Sequence, residues 1–206
     1  MFLEIMNKNE SSINIINKLN TNGYIYIKNL LPKELIKLAK EDIIKYYQKN
    51  NYFNWYSKEL CLNQHIINLT ECGQLHDIFK KIYTNNIFST FKEKWIRYYK
   101  KDMCTNEHID FISNDFNNDN MRYTCWIPLD NYKIENGVLY LKEKSHIIYK
   151  ENNDFSIKTI FENCNILTTN YEIGDVVIFD TRMSHGSNKN LTNEIRVSIE
   201  CRWFKE

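Results

Sequence analysis

The sequence predicts a mainly β fold of α+β type: a β-sandwich or jelly-roll body behind a helical N-terminal part. Three observations predict it. Apolar residues in the first third recur near the 3.6-residue helical period. From about Trp95 onward the texture changes to short runs rich in β-branched and aromatic residues, separated by polar turn clusters. No Gly/Ser/Pro-rich linker, like-charge block or internal repeat interrupts the 206 residues, so residues 1–206 read as a single domain.

Taken in order, Ile13, Ile16 and Leu19 mark one face of a first helix, and Tyr24-Ile25-Tyr26-Ile27 reads as a strand. Pro32 opens a second helix carrying Leu35, Ile36, Leu38, Ala39, Ile43 and Ile44. The expected strands of the body are Trp95 to Tyr99, Arg122 to Leu129, Val138 to Lys142, Val176 to Phe179 and Ile195 to Phe204. Glu135-Asn136-Gly137 supplies an Asn-Gly turn of the kind that closes hairpins, because both residues tolerate positive φ. Strands at this spacing suit a sandwich or jelly roll.

Composition excludes several roles. Lys plus Arg (27) nearly cancel Asp plus Glu (26), so no global field draws the chain onto nucleic acid or an anionic membrane. The apolar runs are far shorter than the roughly 18 residues a membrane span needs. The N-terminus shows no secretory leader pattern, and the chain reads as cytoplasmic. Cys61, Cys72, Cys104, Cys125, Cys164 and Cys201 form no Cys-X-X-Cys pair and read as reduced, mostly core residues.

The chemistry concentrates in the strand-rich body. His108 and Asp110 stand two apart, and on an extended chain such residues point to one side, where a single ion touches both. Alone the pair is common by chance. A strand of Val and Ile then runs into Asp180-Thr181-Arg182-Met183-Ser184-His185, whose histidine offers a third ligand. Two histidines and one carboxylate make the facial triad that holds Fe(II) with positions left open. Arg196 follows eleven residues after His185, beyond the polar turn Ser187 to Asn193. Its planar fork suits a carboxylate one small molecule away from the ion. The competing reading pairs Arg196 with Glu194 or Glu200, which share its face of a strand. Arg122 and Arg182, near the expected site, are open to two readings, a carboxylate or phosphate contact and a surface charge, of which the second is favoured, and His65, His76 and His146 read as structural or surface residues.

In these residues the chain resembles the Fe(II)/2-oxoglutarate-dependent oxygenases of the phytanoyl-CoA dioxygenase-like group, which includes ectoine hydroxylase-like biosynthetic enzymes. The family's His-X-Asp, distal His and C-terminal Arg fall on His108, Asp110, His185 and Arg196. Around them stand Trp126-Ile127-Pro128-Leu129-Asp130, Glu135-Asn136-Gly137, Ser145-His146, Gly174-Asp175 and His185-Gly186-Ser187, and at the N-terminus Asn22-Gly23-Tyr24 through Leu31-Pro32. Glu143-Lys144 replaces the usual Pro-Gly before the Ser-His.

The resemblance implies a double-stranded β-helix, cupin-like, with N-terminal helices packed on it. His108, Asp110 and His185 would hold Fe(II). Arg196, with Ser187 or Ser198 and a wall from Trp126, would bind 2-oxoglutarate, and O2 would take the remaining position. The expected outcome is hydroxylation of an unactivated C–H bond of a small polar metabolite, an amino acid, sugar-like compound or biosynthetic intermediate, with release of succinate and CO2. Related halogenases carry Gly or Ala where Asp110 stands, so halogenation is not expected. The alternatives are a cupin-like metalloenzyme that does not use 2-oxoglutarate and a non-catalytic jelly-roll binding module. A monomer or homodimer is expected. The loop from Phe111 to Asn120 is the first candidate lid, and Ile147 to Thr169 the second.

Overall fold

The computed structural model describes residues 1–50, 56–84, 86–110, 122–151 and 161–206. The N-terminal part holds strand β1 (Ile5–Met6), helix α1 (Ser12–Asn22), strand β2 (Tyr24–Ile27) and four more helices, α2 (Lys33–Asn50), α3 (Lys58–Cys61), α4 (Gln64–Thr70) and α5 (Gly73–Tyr83). The body follows with β3 (Phe88–Tyr99), β4 (Arg122–Pro128), a 3-10 turn (Ile134–Asn136), β5 (Leu139–Lys142), α6 (Ser145–Glu151), β6 (Ile166–Leu167), β7 (Val176–Asp180), β8 (His185–Ser187) and β9 (Arg196–Lys205).

Local chemistry sets the helix ends. The Ser11 hydroxyl accepts from the Asn14 amide to start α1, and Gly23, at φ 80°, closes it in the left-handed conformation with its N–H on the Leu19 carbonyl. A Cβ at Gly23 would stand 2.4 Å from the His146 ring, so the glycine is also required by α6. Asn63 caps α4 in the same manner, and His65 beside it bonds Asp42 at 2.8 Å. The buried face of α1 is Ile15 and Leu19, whereas Ile13, expected to be inward, is 70 % exposed. In α2 the buried row is Ile36, Ala39, Ile43 and Tyr47, with Leu38 turned outward.

The strands form two sheets, a six-stranded one ordered β1-β2-β7-β4-β9-β3 and a three-stranded one ordered β6-β5-β8. Antiparallel pairing between β4, β7 and β9 makes the centre of the larger sheet. Its two faces separate by the two-residue period of a strand. Ile25, Ile27, Cys125, Ile127, Val176, Ile178, Val197, Ile199, Cys201 and Trp203 pack with the helices in one core. Their chain neighbours Tyr24, Tyr26, Trp126, Val177 and Phe179 pack with Leu139, Leu141, Leu167 and Tyr171 in a second core facing the smaller sheet. The result is a jelly roll backed by N-terminal helices, as the sequence predicts. Among the described residues no helix is long and apolar enough to cross a membrane.

The Asn136-Gly137 turn closes no hairpin. It lies in the crossover from β4 in the larger sheet to β5 in the smaller one. Gly137 still takes the left-handed conformation, φ 72°, and Asn136 holds the turn to the Lys133 amide, Thr192 and Glu194. The polar turn after Ser187 likewise joins strands of opposite sheets rather than neighbours, since β8 pairs with β5 and β9 with β3 and β4. Where Pro-Gly is absent, Lys144 adopts φ 56°, and the turn is secured by Ser145, whose hydroxyl donates to the Lys142 carbonyl and accepts from the Ser184 amide. Asp175, after Gly174, is fully buried and accepts from the Tyr26 hydroxyl and the Asn29 and Glu172 amides, fixing the entry to β7.

Candidate active site

His108 and His185 meet through their backbones, each amide donating to the other's carbonyl at 2.9 Å. The segment after β3 therefore lies alongside β8. Two residues on, the Asp110 amide donates to the Thr181 carbonyl at 2.9 Å, which brings the carboxylate under both rings. The three side chains gather, with one ligand atom from each lying within 4.8 Å of the others. Asp110 Oδ1 is 3.7 Å from His108 Nε2 and its Oδ2 is 3.8 Å from His185 Nε2.

Each imidazole is oriented by its other nitrogen. His108 Nδ1 lies 2.9 Å from the Asn106 carbonyl and His185 Nδ1 2.9 Å from the Met183 carbonyl. A carbonyl only accepts, so in each neutral ring Nδ1 carries the proton and Nε2 presents a lone pair to the centre. His185 Nε2 is buried with no hydrogen-bond partner. Burial also depresses the His185 pKa, against the opposing pull of Asp110, which favours the neutral, ligating form. For Asp110, burial would raise the pKa, but His185, Arg202, His108 and the Thr124 hydroxyl together hold it down at about 2. Thr124 donates to Oδ2 at 2.6 Å and Arg202 Nη2 to Oδ1 at 2.5 Å. A deprotonated carboxylate and two lone pairs with oriented second nitrogens fit a divalent transition metal.

A small cavity connects this centre to Arg196. Thr105, Trp126, Leu139, His185, Gly186, Ser187, Arg196 and Glu200 line it, and its volume is about 10 Å³. That is room for one water, so a five-carbon dicarboxylate enters only when lining side chains turn aside. Arg196 is 1 % exposed. Its Nε and Nη2 donate to the Gly137 carbonyl at 3.2 and 2.8 Å, its Nη1 to the Ser198 hydroxyl at 2.6 Å, and its guanidinium lies 4.4 Å from the Tyr99 ring centroid. No described carboxylate forms an ion pair with it. Glu200 takes Arg97 at 2.9 Å and Glu194 accepts from Asn136, so the pairing of Arg196 with Glu194 or Glu200 is not the one found. Burial without a matching anion lowers the Arg196 pKa.

Of the other expected residues, Ser187 lines the cavity and its hydroxyl accepts from the Thr105 amide at 2.8 Å. Ser198 braces Arg196 instead of opening onto the cavity. Trp126 forms one wall, 1 % exposed and packed on Tyr171. Arg182 is held by Asp180, and Arg122 lies over Phe91 and Phe204, so neither is a free surface charge. Cys61, Cys72, Cys125 and Cys201 are buried free thiols, as expected, with Cys104 and Cys164 partly exposed. The first candidate lid lies outside the described residues, as does part of the second.

Thr124, Arg202, Tyr99 and the Arg97–Glu200 pair were not singled out by spacing alone. The signal for them is the two-residue period. Arg196, Ser198, Glu200 and Arg202 share one face of β9, and register sets Tyr99 opposite Arg196 and Thr124 opposite Arg202.

A jelly roll whose cavity joins a two-histidine, one-carboxylate centre to a buried arginine defines the class of non-haem, facial-triad metalloenzymes. Within that class the chain belongs to the phytanoyl-CoA dioxygenase (PhyH) family, whose sequence pattern spans residues 19–198. No curated protein sequence matches it. Solved structures of similar fold include the non-haem alpha ketoglutarate dependent carbocyclase SnoK from nogalamycin biosynthesis, at TM-score 0.79 and 14 % identity over 98 % of this chain and 87 % of that one. The epimerase SnoN, in complex with Fe3+, alpha ketoglutarate and nogalamycin RO, aligns at TM-score 0.77 and 15 % identity over 93 % and 82 %. HygX from Streptomyces hygroscopicus, with nickel and 2-oxoglutarate bound, aligns at 0.68 and 12 % over 92 % and 85 %.

Proposed function

We propose that residues 1–206 form one Fe(II)- and 2-oxoglutarate-dependent oxygenase domain that hydroxylates a small polar metabolite, with release of succinate and CO2. The observation that carries the reading is the orphaned, buried Nε2 of His185 sharing a cavity with Arg196, a buried cation with no carboxylate partner among the described residues. The first asks for a metal and the second for an anion, across one small shared cavity. Membership of the PhyH family and the iron, nickel and 2-oxoglutarate held by the similar structures support both assignments.

His108, Asp110 and His185 would hold the metal through Nε2, one carboxylate oxygen and Nε2. When bound, iron with 2-oxoglutarate and O2 would supply the oxidising power: the two electrons released as 2-oxoglutarate loses CO2 reduce the oxygen atom that enters succinate, and the substrate C–H bond supplies the two that reduce the other. The chain's own part is orientation. The Asn106 and Met183 carbonyls fix the imidazoles, Thr124 and Arg202 fix the carboxylate, and Arg196 receives the distal carboxylate of the cosubstrate while Gly137, Ser198 and Tyr99 hold its fork in place. Asp110 fills the third ligand position, leaving no vacancy there for chloride. The similar structures include an epimerase and a carbocyclase, so the fold accommodates more than one reaction. The aspartate, intact in its place, supports hydroxylation.

The test is an anaerobic titration of metal-free protein with Fe(II) and then 2-oxoglutarate, following the visible charge-transfer band of the chelate. Wild type should show the band, His185→Ala should lose it, and Arg196→Ala should need much higher 2-oxoglutarate. Bound metal without a band would instead indicate a metalloenzyme that does not use 2-oxoglutarate.

A further inference from the structure

Beyond Asp110 the inner face of the larger sheet carries two guanidinium groups laid on aromatic rings. Arg202 lies over Trp95, its Cζ 3.8 Å from the ring centroid. Arg122 lies over Phe91 and Phe204 at 5.4 and 5.8 Å, and those two rings are 4.7 Å apart. The register, Thr124 opposite Arg202 and Arg122 opposite Phe204, makes the two arginines diagonal neighbours on one face. Stacked in this way, a guanidinium is already ordered and presents its N–H edges sideways, the geometry for a planar or tetrahedral oxyanion. Arg202 commits only part of its donor set. Its Nη2 donates to Asp110 Oδ1 at 2.5 Å, while its Nε is buried with no hydrogen-bond partner.

Among the described residues around this rim, the other carboxylates are already committed. Asp180 is taken by Arg182 through both oxygens, and Glu107 by the Ser184 hydroxyl and Lys142. Asp110 is the one described carboxylate paired with Arg202, and a divalent ion on Asp110 more than cancels that charge. With Asp110 so engaged, no other described carboxylate offsets the Arg202 guanidinium.

We propose that Arg202, flanked by Arg122, binds an oxyanion of the substrate, a carboxylate or a phosphate, and so selects an acid over its neutral analogue. Because Arg202 already touches a metal ligand, an oxyanion on its remaining edge sits close to the metal. The oxidised carbon therefore lies within a few bonds of the anionic group. This deepens the function proposed above and rests on its metal and cosubstrate assignments.

The experiment uses full-length protein saturated with Ni(II), which does not turn over, and with 2-oxoglutarate, titrated calorimetrically with inorganic sulfate and separately with acetate. Saturable binding in wild type, weakened at least tenfold in Arg202→Gln and severalfold in Arg122→Gln, is the expected result, and the anion of higher affinity indicates phosphate or carboxylate chemistry. Equal affinity in wild type and Arg202→Gln, the absence of saturable binding, or a loss confined to Arg196→Lys would each overturn it. If Arg202→Gln does not fold, Arg202→Lys keeps the charge without the fork and should still weaken binding severalfold. Failure of 2-oxoglutarate to bind the nickel form would sink the earlier reading, whereas its binding without any sulfate or acetate response sinks this one alone.

Discussion

His185 is held in a buried pocket by one hydrogen bond from its own backbone neighbourhood, and that makes the metal-free protein sensitive to acid. Its pKa is depressed in the fold, so below the ordinary histidine value of about 6.5 the unfolded chain binds a proton that the native state does not. Stability present above that value is lost as the pH falls. Asp110 acts in the same direction at lower pH, its contribution disappearing between the ordinary carboxylate range and about 2. The melting temperature of the metal-free protein should thus fall from pH 7.5 to 5.5, with a smaller fall in His185→Gln; an identical profile in that variant would contradict the assignment. Arg196→Lys keeps the cation but not the fork. Loss of about 1.5–3 kcal/mol of charge-assisted bonding predicts 2-oxoglutarate binding weaker by about 10- to 100-fold, read by titration of the band. These four residues, His108, Asp110, His185 and Arg196, were legible in the sequence because type, order and spacing coincide. Arg202 and Thr124 were not, because nothing along the chain says that a strand arginine and a threonine 78 positions apart close on the same carboxylate.

The crossover between β4 and β5 connects the fold to the site. Gly137 combines a left-handed backbone with close contact, since a Cβ there would lie 2.5 Å from the Asn188 carbonyl and 2.7 Å from the Asn190 amide. Its own carbonyl accepts both bonds from Arg196. Gly137→Ala should therefore cost about 1–3 kcal/mol of backbone strain, seen as a lower urea midpoint, and should also weaken 2-oxoglutarate binding in the folded fraction. A stability loss with unchanged cosubstrate affinity would separate the two roles. The Asn-Gly signal was readable as a turn, but a turn motif does not say whether the chain returns to the same sheet or crosses to the other. The first helix shows the same limit. With isoleucines at 13, 15 and 16, the period admits more than one inward stripe, and packing against β2 and α5 selects Ile15 and Leu19.

At the scale of the whole molecule, the larger sheet separates two cores with different duties. The helical layer supports it from behind, where Phe79 of α5 stacks on Trp203 of β9 at 4.4 Å and 11°. Phe79→Ala opens a cavity in that core and should cost about 3–5 kcal/mol. Chemical denaturation should show the loss, while metal and 2-oxoglutarate affinities of the folded protein stay as in wild type; a parallel collapse of both affinities would show that the helices do more than support. The division between helical first part and strand-rich body was readable from the sequence, because β-branched and aromatic runs replace the helical period from about Trp95, although β3 itself begins earlier, at Phe88. The assignment of strands to sheets was not, being decided by contacts far apart in the chain. Strand β9 holds both duties at once, with Val197, Ile199, Cys201 and Trp203 in the helical core and Arg196, Ser198, Glu200 and Arg202 toward the site. Its letters are thus two interleaved texts. A substitution changes one text and leaves the positions of the other in place, but a single residue inserted inside β9 would exchange the texts beyond that point, sending Glu200 and Arg202 toward the helices and Ile199 and Cys201 toward the site.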